Sequence, residues 1–102
     1  MPAILFSPEA KKDLHDIKKY ISEELESPTA AQNTVSKIIK AIRNLQDFPS
    51  SGTPLSSIID IETQYRFIVS GNYLVFYKED TPAVRIIRIL YGKRDYLNIL
   101  FS

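Results

Sequence analysis

The sequence predicts a small α+β domain in the order β-α-α-β-β-β, and three observations carry that prediction. Residues 65–77 hold two apolar runs joined by Ser70-Gly71-Asn72, and a third run at residues 83–91 follows Asp80-Thr81-Pro82. Upstream, two segments repeat apolar residues at spacings of three and four, the mark of amphipathic helices. Each of these segments is introduced by Ser-Pro. Two such helices do not bury their stripes on each other alone, so a two-layer packing on one face of a sheet follows. The sheet is expected to hold three antiparallel strands, with an N-terminal strand before the helical hairpin.

Residues 3–6 are a short apolar run and form the first strand. Ser7-Pro8-Glu9 reads as a helix start. Serine caps free N–H groups, proline suits the first helical position, and glutamate favours the positive end of the dipole. Leu14, Ile17, Ile21 and Leu25 make the first stripe. Ser27-Pro28 repeats the start signal, and Ala31, Val35, Ile38, Ile42 and Leu45 make the second stripe. The short break between the two favours an antiparallel hairpin. Pro49 to Pro54 end the second helix in a loop. Ile58, Ile59 and Ile61 are expected to tuck under the sheet. Ser70-Gly71-Asn72 supplies the positive-φ residues of a tight hairpin. Residues 73–77 are continuously apolar or aromatic and belong to a central strand covered on both faces. Tyr96, Leu97, Ile99, Leu100 and Phe101 give an apolar tail, docked on the sheet or held by a partner.

Composition excludes several classes. A chain of 102 residues is read as one domain, residues 1–102. With 44% hydrophobic and 25% charged residues it reads as globular, and no apolar run approaches a membrane span. There is no basic leader, and a cytoplasmic location is expected. With no cysteine and only His15, neither a thiolate nor a histidine metal cluster is expected, and no cofactor is called for. The formal net charge of +1 argues against a dedicated nucleic-acid binder. Any anion-binding surface is therefore local, and residues 85–94 hold four cations and no acid.

Strict alternation places Arg88 with Val84, Ile86 and Leu90, and Arg85 with Ile87, Ile89 and Tyr91. An arginine among apolar neighbours needs a partner or an open groove. Asp60, Glu62 and Glu79 are available partners for arginines whose stems cover the sheet. Tyr73 and Tyr77 are read as core, and Tyr91 and Tyr96 as surface residues beside cations. His15 and the Glu23, Glu24, Glu26 cluster read as solvated. Ser50, Ser51, Ser56 and Ser57 have no nearby base, and Gly71 and Gly92 form no phosphate loop.

The chain resembles the RelE/ParE superfamily of toxins from type II toxin–antitoxin systems. The resemblance rests on Ser7-Pro8-Glu9-Ala10 with Asp13-Leu14, on Tyr65-Arg66-Phe67-Ile68-Val69, on Asn72-Tyr73-Leu74-Val75-Phe76-Tyr77, and on Arg88-Ile89-Leu90-Tyr91-Gly92-Lys93-Arg94-Asp95-Tyr96. It implies a small cytoplasmic toxin of the plasmid-stabilisation type, neutralised by a cognate antitoxin. RelE-like members cut mRNA on the ribosome, and ParE-like members inhibit DNA gyrase. Arg66 and Arg94 match the two arginines of the RelE pattern. That pattern also carries lysines where this chain has Ile59 and Ser57, and a tyrosine where it has Leu100. These departures favour the ParE-like branch, with gyrase as target. In the alternative, a ribosome-dependent endoribonuclease, the catalytic set is Arg66, Arg88, Tyr91, Arg94 and Tyr96. Partner contact is expected at Arg85, Lys93, Tyr96, Leu100 and Phe101.

Overall fold

The computed structural model describes residues 3–101. Its centre is a five-stranded mixed sheet in the order β1-β5-β4-β3-β2. β1 (Ala3–Phe6) runs parallel to β5 (Ala83–Tyr91). β2 (Thr53–Pro54), β3 (Arg66–Ser70), β4 (Tyr73–Asp80) and β5 follow as antiparallel neighbours. α1 (Pro8–Lys19) and α2 (Pro28–Arg43) pack on one face, and α3 (Tyr96–Phe101) packs on the other.

The α+β class and the hairpin stand, with two corrections to the expected three strands and two layers. β1 joins the sheet beside β5, and β2 adds a two-residue strand at the opposite edge. Pro54 hides β2 in the sequence, yet an edge tolerates a residue without an N–H. The tail forms a helix that supplies a third layer. Tyr96, Ile99 and Leu100 pack there with Leu55, Phe76 and Leu90. Ile59 joins this cluster, but Ile58 and Ile61 face solvent.

Both helix starts are capped by their serines. Ser7 Oγ accepts from Ala10 N at 3.0 Å, and Ser27 Oγ accepts from Ala30 N at 3.3 Å. α1 does not end cleanly. A π-helical turn over Tyr20–Glu24 follows, in which Leu25 N donates to Tyr20 O. The added residue carries Leu25 off the first stripe, so it is exposed rather than buried. Glu26 then takes a positive φ of 51° and the chain reverses into α2. The β3–β4 turn has positive φ at Gly71 and not at Asn72, the pattern of a II′ turn.

Val75, Phe76 and Tyr77 are consecutive and fully buried, as expected of a strand covered on both faces. β5 departs from strict alternation. Phe76 faces Arg88 while Tyr77 faces Ile86, so Ile87 is an extra residue in β5. Past this bulge the faces exchange. Val84, Ile86 and Ile89 share the cluster beneath α1 and α2, and Leu90 joins the opposite one. The expected grouping of Arg88 with Val84, Ile86 and Leu90 therefore fails.

α1 occupies the backbone groups around the bulge. Ser7 N donates to Ile86 O at 2.9 Å, and Ser7 Oγ donates to Ile87 O at 2.7 Å. Two turns along α1, Asp13 accepts from Ile89 N at 2.9 Å. The same carboxylate takes a two-pronged contact from Arg88, Nε at 2.7 Å and Nη2 at 2.8 Å. The bonds to Asp13 hold the Arg88 guanidinium above its ordinary pKa against the opposing effect of burial, and Glu9 adds to the rise.

At the other end of the sheet, Tyr77 anchors the loop after α2. Its hydroxyl donates to Pro49 O at 2.8 Å and accepts from Gly52 N at 2.9 Å. A Cβ at Gly52 would collide with the Tyr77 ring and hydroxyl, so glycine is required there.

Two outcomes are expected. Asp13→Asn removes the charge that answers Arg88 and should lower stability by about 2–3 kcal/mol in urea unfolding, since breaking a largely buried pair strands its partner. A loss within experimental error would show that the clamp adds nothing. Tyr77→Phe orphans two backbone groups and should cost about 1–3 kcal/mol. Burial pushes the Tyr77 phenol above its ordinary 10.0; Gly52 and Arg66 oppose this and Glu79 adds to it. A raised folded pKa gives stability that is complete below pH 10.0 and is lost as pH climbs through the folded value. Unfolding curves at about pH 8 and about pH 11 should therefore diverge less for Tyr77→Phe than for the wild type. An equal divergence would assign the alkaline loss to other groups.

Candidate functional site

The arginines singled out from the sequence meet different fates. Arg66 Nε pairs with Glu79 at 3.2 Å, and its Nη1 donates to Gly52 O at 2.8 Å and Ser50 O at 3.3 Å. Ser50 Oγ donates to the same Glu79 carboxylate at 2.9 Å. Arg66 thus holds the 50–52 loop against the sheet. Arg88 is spent on Asp13. Arg85 makes an exposed pair with Asp80 at 3.2 Å. Arg94 lies in the turn after β5, where its N donates to Tyr91 O at 2.9 Å, and its side chain makes no ion pair among the described residues.

The register separates Arg66 from Arg94. Arg66 faces Tyr77 across β3 and β4, whereas Tyr91, just before the Arg94 turn, faces Tyr73. Four residues of β4 span about 13 Å. The two arginines stand at opposite ends of the sheet. Tyr96 lies on the far face, with its ring 5.3 Å from that of Phe76. Of the five residues in the nuclease set, only Tyr91 and Arg94 line one site.

That site is an open cleft of about 770 Å³. α1, the π turn and the start of α2 form one wall, and the ends of β4 and β5 form the other. Ile17, Ile21 and Ile89 give an apolar floor, and Tyr20, Tyr73 and Tyr91 stand around it. The Tyr73 and Tyr91 rings meet edge to face at 5.9 Å. Burial raises the Tyr73 phenol above its ordinary value, and the neighbouring phenols of Tyr91 and Tyr20 add to the rise. Gly92 N donates to Asn72 O at 2.8 Å, which ties the Arg94 turn to the β3–β4 turn.

Both carboxylates of the cleft are already answered. Asp13 is held by Arg88, and Asp16 pairs with Lys12 at 3.1 Å. Arg94 is the lining charge without a counter-ion. Apolar floor, aromatic walls and one open cation suit the gripping of a ligand. Among the described residues no group of His, Cys, Asp or Glu is placed to hold a metal ion. No helix is long and apolar enough to cross a membrane.

The expected partner contacts divide in the same way. Lys93 is exposed, Leu100 packs into the second cluster, and Phe101 meets Tyr65 edge to face at 5.6 Å. Sequence reasoning missed Tyr20 and Asn72 as cleft residues, and it assigned Tyr73 to the core although it lines the opening. Asp13 was legible in part. Ala10, Asp13, Ile17 and Ile21 follow at spacings of three and four, which puts a carboxylate on the buried stripe.

A comparison of the sequence with curated proteins gives no match. Among solved structures, the fold matches a chain of the chromosomal ParDE TA system from P. aeruginosa with a TM-score of 0.76. The two share 18% identity, over 91% of this chain and 98% of that one. Residues 4–96 match the family described as the ParE toxin of the type II toxin-antitoxin system, parDE. With the α+β fold and the sequence pattern in agreement, the chain belongs to the ParE toxin family of type II toxin–antitoxin systems.

Proposed function

We propose that this ParE-type toxin acts by binding. It is held inactive by a cognate antitoxin and, when released in the cytoplasm, inhibits DNA gyrase. The observation that carries this reading is the separation of Arg66 from Arg94. A nuclease needs its cations and a proton carrier converged within hydrogen-bond reach of one phosphate. Here Arg66 is occupied by Glu79 and the 50–52 loop, and Arg94 opens into a cleft at the other end of the sheet. The residues Ile59, Ser57 and Leu100, which stand where RelE-like nucleases carry lysines and a tyrosine, support the same reading. So does a net charge of +1, which gives little general attraction to the ribosome.

The test sets two assays side by side. Wild-type protein should inhibit gyrase supercoiling, and Arg94→Ala should weaken that inhibition while leaving the melting temperature unchanged. Primer extension on translated mRNA should show no codon-positioned cuts. Ribosome-dependent cuts that vanish in Arg66→Ala or Arg94→Ala would replace this reading with the endoribonuclease. Growth arrest on expression without the antitoxin, relieved by co-expression, checks the toxin–antitoxin relation separately.

A further inference from the structure

The cleft lies where the regular structure is interrupted on both sides. The bulge at Ile87 sits in the strand on one wall, and the π turn at Tyr20–Glu24 forms the other. Such insertions re-aim side chains and recur at functional sites. Here the π turn leaves Tyr20 54% and Leu25 57% exposed, and Tyr91 across the opening is 40% exposed. Three large side chains thus ring one opening without protein over them. A contiguous apolar surface of this kind marks an interface. A volume of about 770 Å³ falls in the small-ligand range, so the cleft takes a few side chains and not a folded domain. The charges narrow the occupant further. Asp13 and Asp16 are neutralised by Arg88 and Lys12, and Arg94 is left to meet an anion.

We propose that the cleft seats a segment of the antitoxin that brings an aliphatic or aromatic anchor with a carboxylate beside it, an inference that rests on the antitoxin-neutralised reading above. The anchor lies on Ile17, Ile21 and Ile89 between the rings of Tyr20 and Tyr91. The carboxylate meets Arg94. In the proposed gyrase reading Arg94 also contributes to target contact, so a segment seated here blocks the target by covering the same cation.

The test is calorimetric titration of the full chain with the protein encoded by the adjoining reading frame. Arg94→Glu and Tyr20→Ser should each weaken binding about tenfold or more, as expected of central contacts. Arg94→Glu should also flatten the salt dependence. Phe48→Ser, an exposed apolar change outside the cleft, should bind as the wild type does. Circular dichroism melts report whether each variant is folded. A single acid-to-lysine change in the antitoxin should restore binding to Arg94→Glu, which a merely damaged fold would not allow. Wild-type binding that Arg94→Glu and Tyr20→Ser leave intact would overturn this inference and leave the toxin reading standing. Absence of any binding by the wild type would remove the antitoxin reading itself. Self-association of the chain alone, broken by Tyr20→Ser, would assign the cleft to a second copy.

Discussion

The carboxylate of Asp13 is the contact on which the arrangement depends. It accepts the Ile89 N–H beside the bulge and both prongs of Arg88, and it sits on the buried face of α1. Helix α1 is thereby fixed to β5 at its middle as well as at Ser7. The angle between helix and strand that results leaves the far end of α1 standing away from the sheet. The cleft opens in that space. A hydrophobic contact at position 13 would give area without direction. The three donors at Asp13 fix orientation, which is what a shaped site needs.

Much of the fold was written in local signals. Ser-Pro pairs marked both helix starts, and the apolar stripes at Ala31, Ile38, Ile42 and Leu45 and at Ala10, Leu14, Ile17 and Ile21 marked their buried faces. The continuous run at Val75, Phe76 and Tyr77 marked a strand covered on both sides. Other features had no local signal. β1 pairs with the end of the chain, a contact no window of sequence contains. The bulge at Ile87 adds one residue to a run of apolar residues, in which a shift of register changes no visible pattern. The same shift moved Arg88 onto Asp13 and separated Leu90 from Ile86. Period-two reasoning was sound up to the bulge and failed beyond it.

The candidate site was legible as composition and illegible as geometry. The run from Arg88 to Tyr96 stood out for its cations and phenols, and it does hold Tyr91 and Arg94. What sequence did not supply was the sorting of those residues. Arg66, Arg85 and Arg88 look alike in a strand pattern. Their acids lie at Glu79, Asp80 and Asp13, at separations no spacing rule links. Tyr96 falls on the opposite face because the turn after Tyr91 passes under the sheet into α3. Tyr20 was hidden because the π turn, not an α-helical period, aims it at the opening.

Sorting the arginines also explains how a nearly neutral chain carries a specific cationic site. Thirteen Lys and Arg face twelve Asp and Glu, so long-range attraction is small. Three of the four strand-region arginines are consumed internally, each holding an element in place. The remaining one, Arg94, is set on a turn tied to Asn72 and framed by Tyr73 and Tyr91. A lone cation in water is weak at attracting a partner, because solvent and salt screen it. The same cation beside an apolar cleft gains when an occupant expels water, since the effective dielectric falls as the site closes. Affinity then requires the apolar anchor and the anion together, and a ligand offering only one is poorly held. Selectivity for a particular partner thus arises from the pairing of cleft and charge, without the basic surface a nucleic-acid binder would need.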